Sequence, residues 1–184
     1  MFLGKAVQTV NPPNGSVGIS QLSATGTKDS TTFLRGDNTF ASAGGTMTPA
    51  FEARGSANLT GVGDSVFTKL SMNTEIYDTD SMYDASTNYR FTPTTSGKYY
   101  VYGLCSMYSE TDYKLNVANL AIYKNGSIYK TTNDTFDPSY EPNEISPFIA
   151  TVIDFNGSSD YVELFARSNV TSGTSTIDID SLSG

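Results

Sequence analysis

The chain has 184 residues, a net charge of −8 and no His. Absence of His excludes the Ser-His-Asp triad, Cys-His pairs and His-ligated zinc, and the lone Cys105 excludes an intrachain disulfide or a Cys metal cluster. The acidic balance argues against nucleic acid or an anionic membrane surface as a partner, and no apolar run approaches the roughly 18 residues of a membrane span.

Ser, Thr and Asn number 23, 24 and 13, aromatic residues make up 12%, and there is no Trp. Such a chain is too aromatic for a disordered polymer, poor in helix formers and rich in strand and turn formers. The expectation is an all-β protein.

Composition divides the chain into 1–48 and 49–184. Lys5, Lys28 and Arg35 against Asp29 and Asp37 leave the first part at +1, so the second carries −9, and every Tyr lies at or after Tyr77. Residues 1–48 hold too little apolar surface for a core of their own, and read as an extended arm with local turns. Phe2–Val10 alternates weakly as a strand, Asn11-Pro12-Pro13-Asn14-Gly15 is a turn, and Val17, Ile19 and Leu22 are expected to cover a neighbour or a symmetry mate. Ala41–Thr46 suits a linker.

Residues 49–184 have the size of one β-sandwich. Asn58 to Leu70 is a mixed run with a turn at Gly61-Val62-Gly63-Asp64. Lys98 to Tyr108 is the strongest strand signal. One face carries Tyr99, Val101, Gly103, Cys105 and Met107. The other carries Tyr100, Tyr102, Leu104 and Tyr108, so both faces are expected to be at least partly covered. Asn125-Gly126 between two Ile-Tyr-Lys triplets predicts a hairpin over Ala121–Lys130 with a two-residue type I′ turn. Ile149–Phe155 and Tyr161–Ala166 are expected to pair around residues 156–160. No segment shows a helical period.

Two stretches resemble known families. Gly18–Gly26 followed by Thr31-Thr32-Phe33-Leu34-Arg35-Gly36-Asp37-Asn38-Thr39-Phe40 is similar to a repeat of tail fibres and other appendages of tailed bacteriophages, with Phe40 where the repeat usually has Trp. Tyr89-Arg90-Phe91-Thr92-Pro93-Thr94-Thr95-Ser96-Gly97-Lys98-Tyr99-Tyr100 resembles the hallmark of C1q/TNF-like domains. Phe51, the acidic and aromatic segments Asn73–Asp78 and Tyr83-Asp84, and Lys124-Asn125-Gly126 agree with it. The resemblance implies a ten-strand antiparallel jelly roll on 49–184, assembled as a homotrimer. Leu182-Ser183-Gly184 resembles the Phe-Ser-Gly that precedes the family's last strand, so either that strand is absent or the sequence is part of a longer chain.

Physical reasoning favours a trimer independently. A Gly/Thr-rich arm cannot bury its own Phe33, Leu34 and Phe40, whereas three copies around an axis can bury them, with Arg35 and Asp37 at the turn between. Arg35-Gly36-Asp37 also reads as an adhesive tripeptide; the plainer reading is a turn. Asp78, Asp80 and Asp84 fall within seven residues and are candidate Ca²⁺ ligands, as are, more loosely, the groups Asp134, Asp137, Glu141, Glu144 and Asp178, Asp180. Solvated loop charge is the alternative for each. Loops holding Tyr113, Asn133 and Tyr140 are candidate contact surfaces, since Tyr, Ser and Asn bind adaptably at low entropic cost. Cys105 is expected to be a small buried hydrophobe.

These expectations converge on a phage virion protein. It would be a fibre subunit binding a host cell-surface glycan or protein multivalently, alongside other virion structural proteins, without catalysis or membrane insertion. The alternatives are a head-decoration or capsid-fibre protein, and a secreted bacterial C1q-like lectin. A glycan-cleaving enzyme ranks last.

Overall fold

The computed structural model describes residues 23–42, 48–61, 66–111 and 113–180. The expected strand at Phe2–Val10, the turn at residues 11–15, the apolar positions 17, 19 and 22, most of the 41–46 linker and the ending at 182–184 lie outside the described residues. The chain divides into two units, Met1–Met47 and Thr48–Gly184.

In the first unit, β1 (Thr32–Leu34) and β2 (Phe40–Ser42) form an antiparallel hairpin, with Phe33 opposite Ala41 and Leu34 opposite Phe40. The turn is built by Arg35-Gly36-Asp37-Asn38. Asn38 adopts a φ of 65° and donates its N–H to the Arg35 carbonyl at 3.0 Å. Asp37 Oδ1 accepts the N–H and hydroxyl of Thr39, an Asx arrangement that favours this turn over extended backbone.

The second unit carries β3 (Phe51–Arg54), β4 (Leu59–Thr60), β5 (Thr68–Lys69), β6 (Thr74–Asp78), β7 (Tyr83–Asp84) and β8 (Arg90–Phe91). These are followed by β9 (Gly97–Leu104), β10 (Ser106–Ser109), β11 (Leu115–Lys124), β12 (Ser127–Thr131) and β13 (Asp134–Thr135). The last four are β14 (Glu144–Ile145), β15 (Phe148–Phe155), β16 (Val162–Val170) and β17 (Ser175–Asp178). There is no helix among the described residues, and every sheet is antiparallel. The protein is all-β, with several antiparallel sheets around a common core in the manner of a β-sandwich.

One layer runs β12-β11-β16-β8-β7, with β5 beside β16 and β13 beside β11. Opposite it lie β15-β9 and β14-β10-β17-β4, linked through Cys105, where the run Gly97–Ser109 breaks between β9 and β10. Period-two alternation sends Ala118, Leu120 and Ile122 of β11 and Val162, Ala166 and Val170 of β16 inward. They meet Ile149, Ile153 and Phe155 of β15, with Cys105, Met107 and Ile177. Each such large side chain contributes roughly 1.5–3 kcal/mol on burial. The layers pack tightly at Gly103, where an added Cβ would stand 2.6 Å from Leu164 Cδ1.

The predicted hairpin is present: Lys124 pairs with Ser127 across Asn125 (φ 52°) and Gly126 (φ 77°). Both central residues need positive φ, as a type I′ turn requires. Three expectations are corrected. Residues 148–155 and 161–166 do not pair with each other. β15 pairs with β9 and β16 with β11, so the loop 156–160 crosses from one layer to the other. Asn156 and Asp160 build that loop through their own side chains, which satisfy the N–H groups of 156 and 158–160. The single strand over 98–108 is two strands. The second face of β9 is also open, since Tyr100 and Tyr102 are exposed.

Candidate functional site

The open face belongs to the β9·β15 ladder. Its register places Lys98 opposite Asp154, Tyr100 opposite Val152, Tyr102 opposite Ala150 and Leu104 opposite Phe148. These side chains share one face because alternate residues of a strand point the same way, while Tyr99, Val101, Ile149 and Ile153 fill the core behind. Tyr100 is 66% exposed, Phe148 57% and Val152 53%. Ring centroids lie 6.3 Å apart for Tyr100–Tyr102 and 6.4 Å for Tyr102–Phe148. Glu52 of β3 and Tyr77 of β6 stand near Tyr102. Partial burial, then Glu52 and Tyr77, raise its phenol above the usual range. At one end Lys98 Nζ and Asp154 Oδ2 form an exposed ion pair at 2.7 Å. The result is an apolar, aromatic strip with a charged end, of the kind that marks an interaction surface.

Sequence reasoning passed over this strip. Its signal was present: apolar residues on both alternating faces of β9, repeated as Phe148, Ala150 and Val152 in the partner strand. Only the pairing of β9 with β15 assembles the two halves.

The acidic candidates are engaged locally. Asp78 Oδ2 accepts the Tyr83 N–H at 2.7 Å, and its Oδ1 accepts the Asp80 N–H at 3.3 Å. Asp84 accepts the N–H groups of Ser86, Thr87 and Asn88 and the Asn88 amide. These bonds, led by that from Thr87, hold its carboxyl far below the usual carboxylate range. The Asp84 carboxylate is filled by these donors and has little left for a metal, whereas Asp78 accepts one N–H on each oxygen. Among the described residues no three acidic or Cys side chains gather as a group that could hold a metal ion.

The loop candidates fall in two places. Tyr113 (φ 54°) donates its N–H to Asn143 Oδ1 at 3.4 Å, which ties its loop to the segment holding Tyr140, 83% exposed. Asn133 is exposed but follows Thr132, whose N–H bonds Leu120, five residues beyond Leu115 along β11. In the first unit Phe33 and Leu34 are exposed, Phe40 is half-buried under Lys28 Nζ at 5.8 Å, and Arg35 and Asp37 form an exposed pair at 3.9 Å. Burial pushes the Cys105 thiol up to about 12, so it stays protonated and unreactive at neutral pH.

No protein-family model matches the chain, and no curated protein matches its sequence.

Proposed function

We propose that this protein is a fibre or fibre-like appendage subunit of a tailed bacteriophage. Its C1q/TNF-like jelly-roll head assembles as a homotrimer and binds a host-surface component non-covalently. The observation that carries this reading is the aromatic strip of Tyr100, Tyr102, Phe148 and Val152, exposed on the single chain. A second copy of the chain is its occupant, and cyclic closure of three copies limits the assembly.

Two features support the reading. The helix-free, antiparallel sheets, with non-consecutive strands as neighbours, are compatible with the jelly roll of this reading. Thr31 to Phe40, which carries the phage-like repeat, forms a hairpin that leaves Phe33 and Leu34 unburied in one chain. In the trimer, Tyr113 and Tyr140 stand on loops free for host contact, and three copies of a weak site act through avidity.

Static light scattering on the purified chain tests the assembly, and competition by free trimer against phage adsorption tests the role. A trimer that blocks adsorption supports the reading. A trimer that cross-links to the major capsid protein without blocking adsorption assigns it to the shell instead. A monomer at micromolar concentration overturns both.

A further inference from the structure

The sequence holds three Asn-Gly pairs, at 14–15, 125–126 and 156–157. Asn-Gly is the pair most prone to deamidation, because glycine has no side chain to hinder attack of its nitrogen on the preceding amide carbon. The first pair lies outside the described residues. Asn156 is fixed by its own loop: Oδ1 accepts the N–H groups of Ser158, Ser159 and Asp160, and Nδ2 donates to Ser159 Oγ at 3.0 Å. Asn125 differs, because another segment holds its side chain. Nδ2 donates to Asp160 Oδ1 at 2.8 Å, 35 residues along the chain, and Oδ1 accepts the Tyr161 N–H at 3.0 Å. The Asn125 N–H in turn donates to the Tyr161 carbonyl at 3.1 Å. Asn125 itself is exposed and stands at φ 52° in the two-residue turn. Cyclisation requires its side chain to swing onto the Gly126 nitrogen and its ψ to leave the type I′ value of about +30°. Both moves break the bonds to Asp160 and Tyr161.

We propose that Asn125 is a deamidation site gated by Asp160 and Tyr161: the amide is protected while the corner at 156–161 holds it, and cyclises when that corner lifts away. The Gly126 nitrogen, its proton lost to solvent, attacks Asn125 Cγ. The Cγ–Nδ2 bond breaks and ammonia leaves, and water then opens the cyclic imide to aspartate or isoaspartate. Water is the only co-reactant. The product cannot rebuild the corner. Asp160, whose carboxyl Lys124 and then Asn125 hold down at about 2, is ionised at neutral pH, so a second carboxylate in place of the amide donor is repelled. Lys124, which pairs with Asp160 at 2.8 Å and covers the Asp154 carbonyl, is then shared between two acids. Isoaspartate also adds a methylene to the main chain of a turn whose two residues fix the hairpin register. Deamidation is therefore a one-way release of this corner, and the inference stands apart from the fibre reading.

The test incubates the full chain in mildly alkaline buffer, folded and, in parallel, denatured in urea. Peptide mapping by mass spectrometry follows Asn125, with isoaspartate as the mark of the cyclic imide. Asn125 is expected to react at least tenfold more slowly in the folded chain. Asp160→Ala removes the acceptor and is expected to raise the folded-state rate at least fivefold. Ile177→Val, which trims the core at β17, is expected to leave the rate within twofold, and so separates the local gate from general loosening. Far-UV circular dichroism checks folding. If Asp160→Ala does not fold, hydrogen exchange on wild type carries the test, since the Tyr161 N–H is released in the same opening and its protection is expected to match the slowing of Asn125. Deamidated chain separated by anion exchange is expected to unfold at lower urea. Equal rates in folded and denatured chain, or an Asp160→Ala rate within twofold of wild type, overturns the proposal. So does equal acceleration by Ile177→Val, Tyr161 protection unrelated to the slowing, or an unchanged urea midpoint after deamidation.

Discussion

Lys130 Nζ donates a hydrogen bond to the carbonyl oxygen of Ala150 at 2.9 Å. Two similar bonds follow along the same strand: Tyr129 Oη reaches the Val152 carbonyl at 3.4 Å, and Lys124 Nζ reaches the Asp154 carbonyl at 2.7 Å. Among the described residues β15 has a ladder partner on one side only. Side chains of β11 and β12 therefore cover alternate carbonyls on its open edge, where an unprotected strand would template pairing with another chain.

Removing that cover should affect association more than stability. In Lys130→Ala, which leaves the Lys124–Asp160 pair intact, the loss in unfolding free energy is expected to be about 0.5–1.5 kcal/mol, the usual contribution of one hydrogen bond. Slow growth of scattering on incubation is expected to exceed wild type clearly. A variant that stays as dispersed as wild type would show that the edge needs no guard.

The aromatic strip gives a sharper test. Tyr102→Glu/Val152→Lys replaces two exposed side chains, so the fold is expected to survive with a small change in Tm. Light scattering is expected to report monomers where the wild type is trimeric. Unchanged oligomeric mass would place the subunit contacts elsewhere.

Gly103 leaves no room for a side chain beneath Leu164. In Gly103→Val the new Cβ falls on Leu164, and the expected cost is about 1–3 kcal/mol, as for other overpacked cores. Leu164→Ala opens the space, so the double variant is expected to be more stable than the two single effects summed. Denaturant unfolding of all four proteins measures the coupling.

Acid should loosen the corner at residues 156–160. Lys124 first, then Asn125 and the Asn156 N–H, hold the Asp160 carboxyl down at about 2, against an ordinary 3.8. A depressed folded-state pKa contributes stability that is present above the unfolded value and lost as pH falls toward the folded one. The urea midpoint is therefore expected to drop between about pH 4 and pH 2. Asp160→Asn should flatten that slope and lower the midpoint at neutral pH, where the Lys124 pair at 2.8 Å is lost.

What was legible in the sequence was local. Asn125-Gly126 announced its hairpin because two adjacent residues able to take positive φ define that turn without distant help. Arg35-Gly36-Asp37 read as a turn because Gly36 frees the backbone and Asp37 can cap it, and Asp37 does so by accepting the Thr39 N–H, two residues on. Alternation alone put Tyr99, Val101, Gly103, Cys105 and Met107 on one face but not which face turns inward; every one of these is buried or half-buried. Spacing showed that Asp78 and Asp84 are near in sequence, but not that backbone N–H groups bond their carboxylates.

By itself the chain determined its class: strands, turns and a helix-free backbone follow from residue propensities and a period of two, which act over a few neighbours. Partners were decided only in three dimensions. Residues 148–155 were free to turn back on 161–166, and instead joined β9, about fifty residues upstream, because that choice buries Ile149, Ile153 and Phe155 against the facing layer. The same choice brought Tyr100, Tyr102, Phe148 and Val152 onto one open surface. Long-range pairing is selected by the sum of buried area across the whole core, a quantity that no short window of sequence contains.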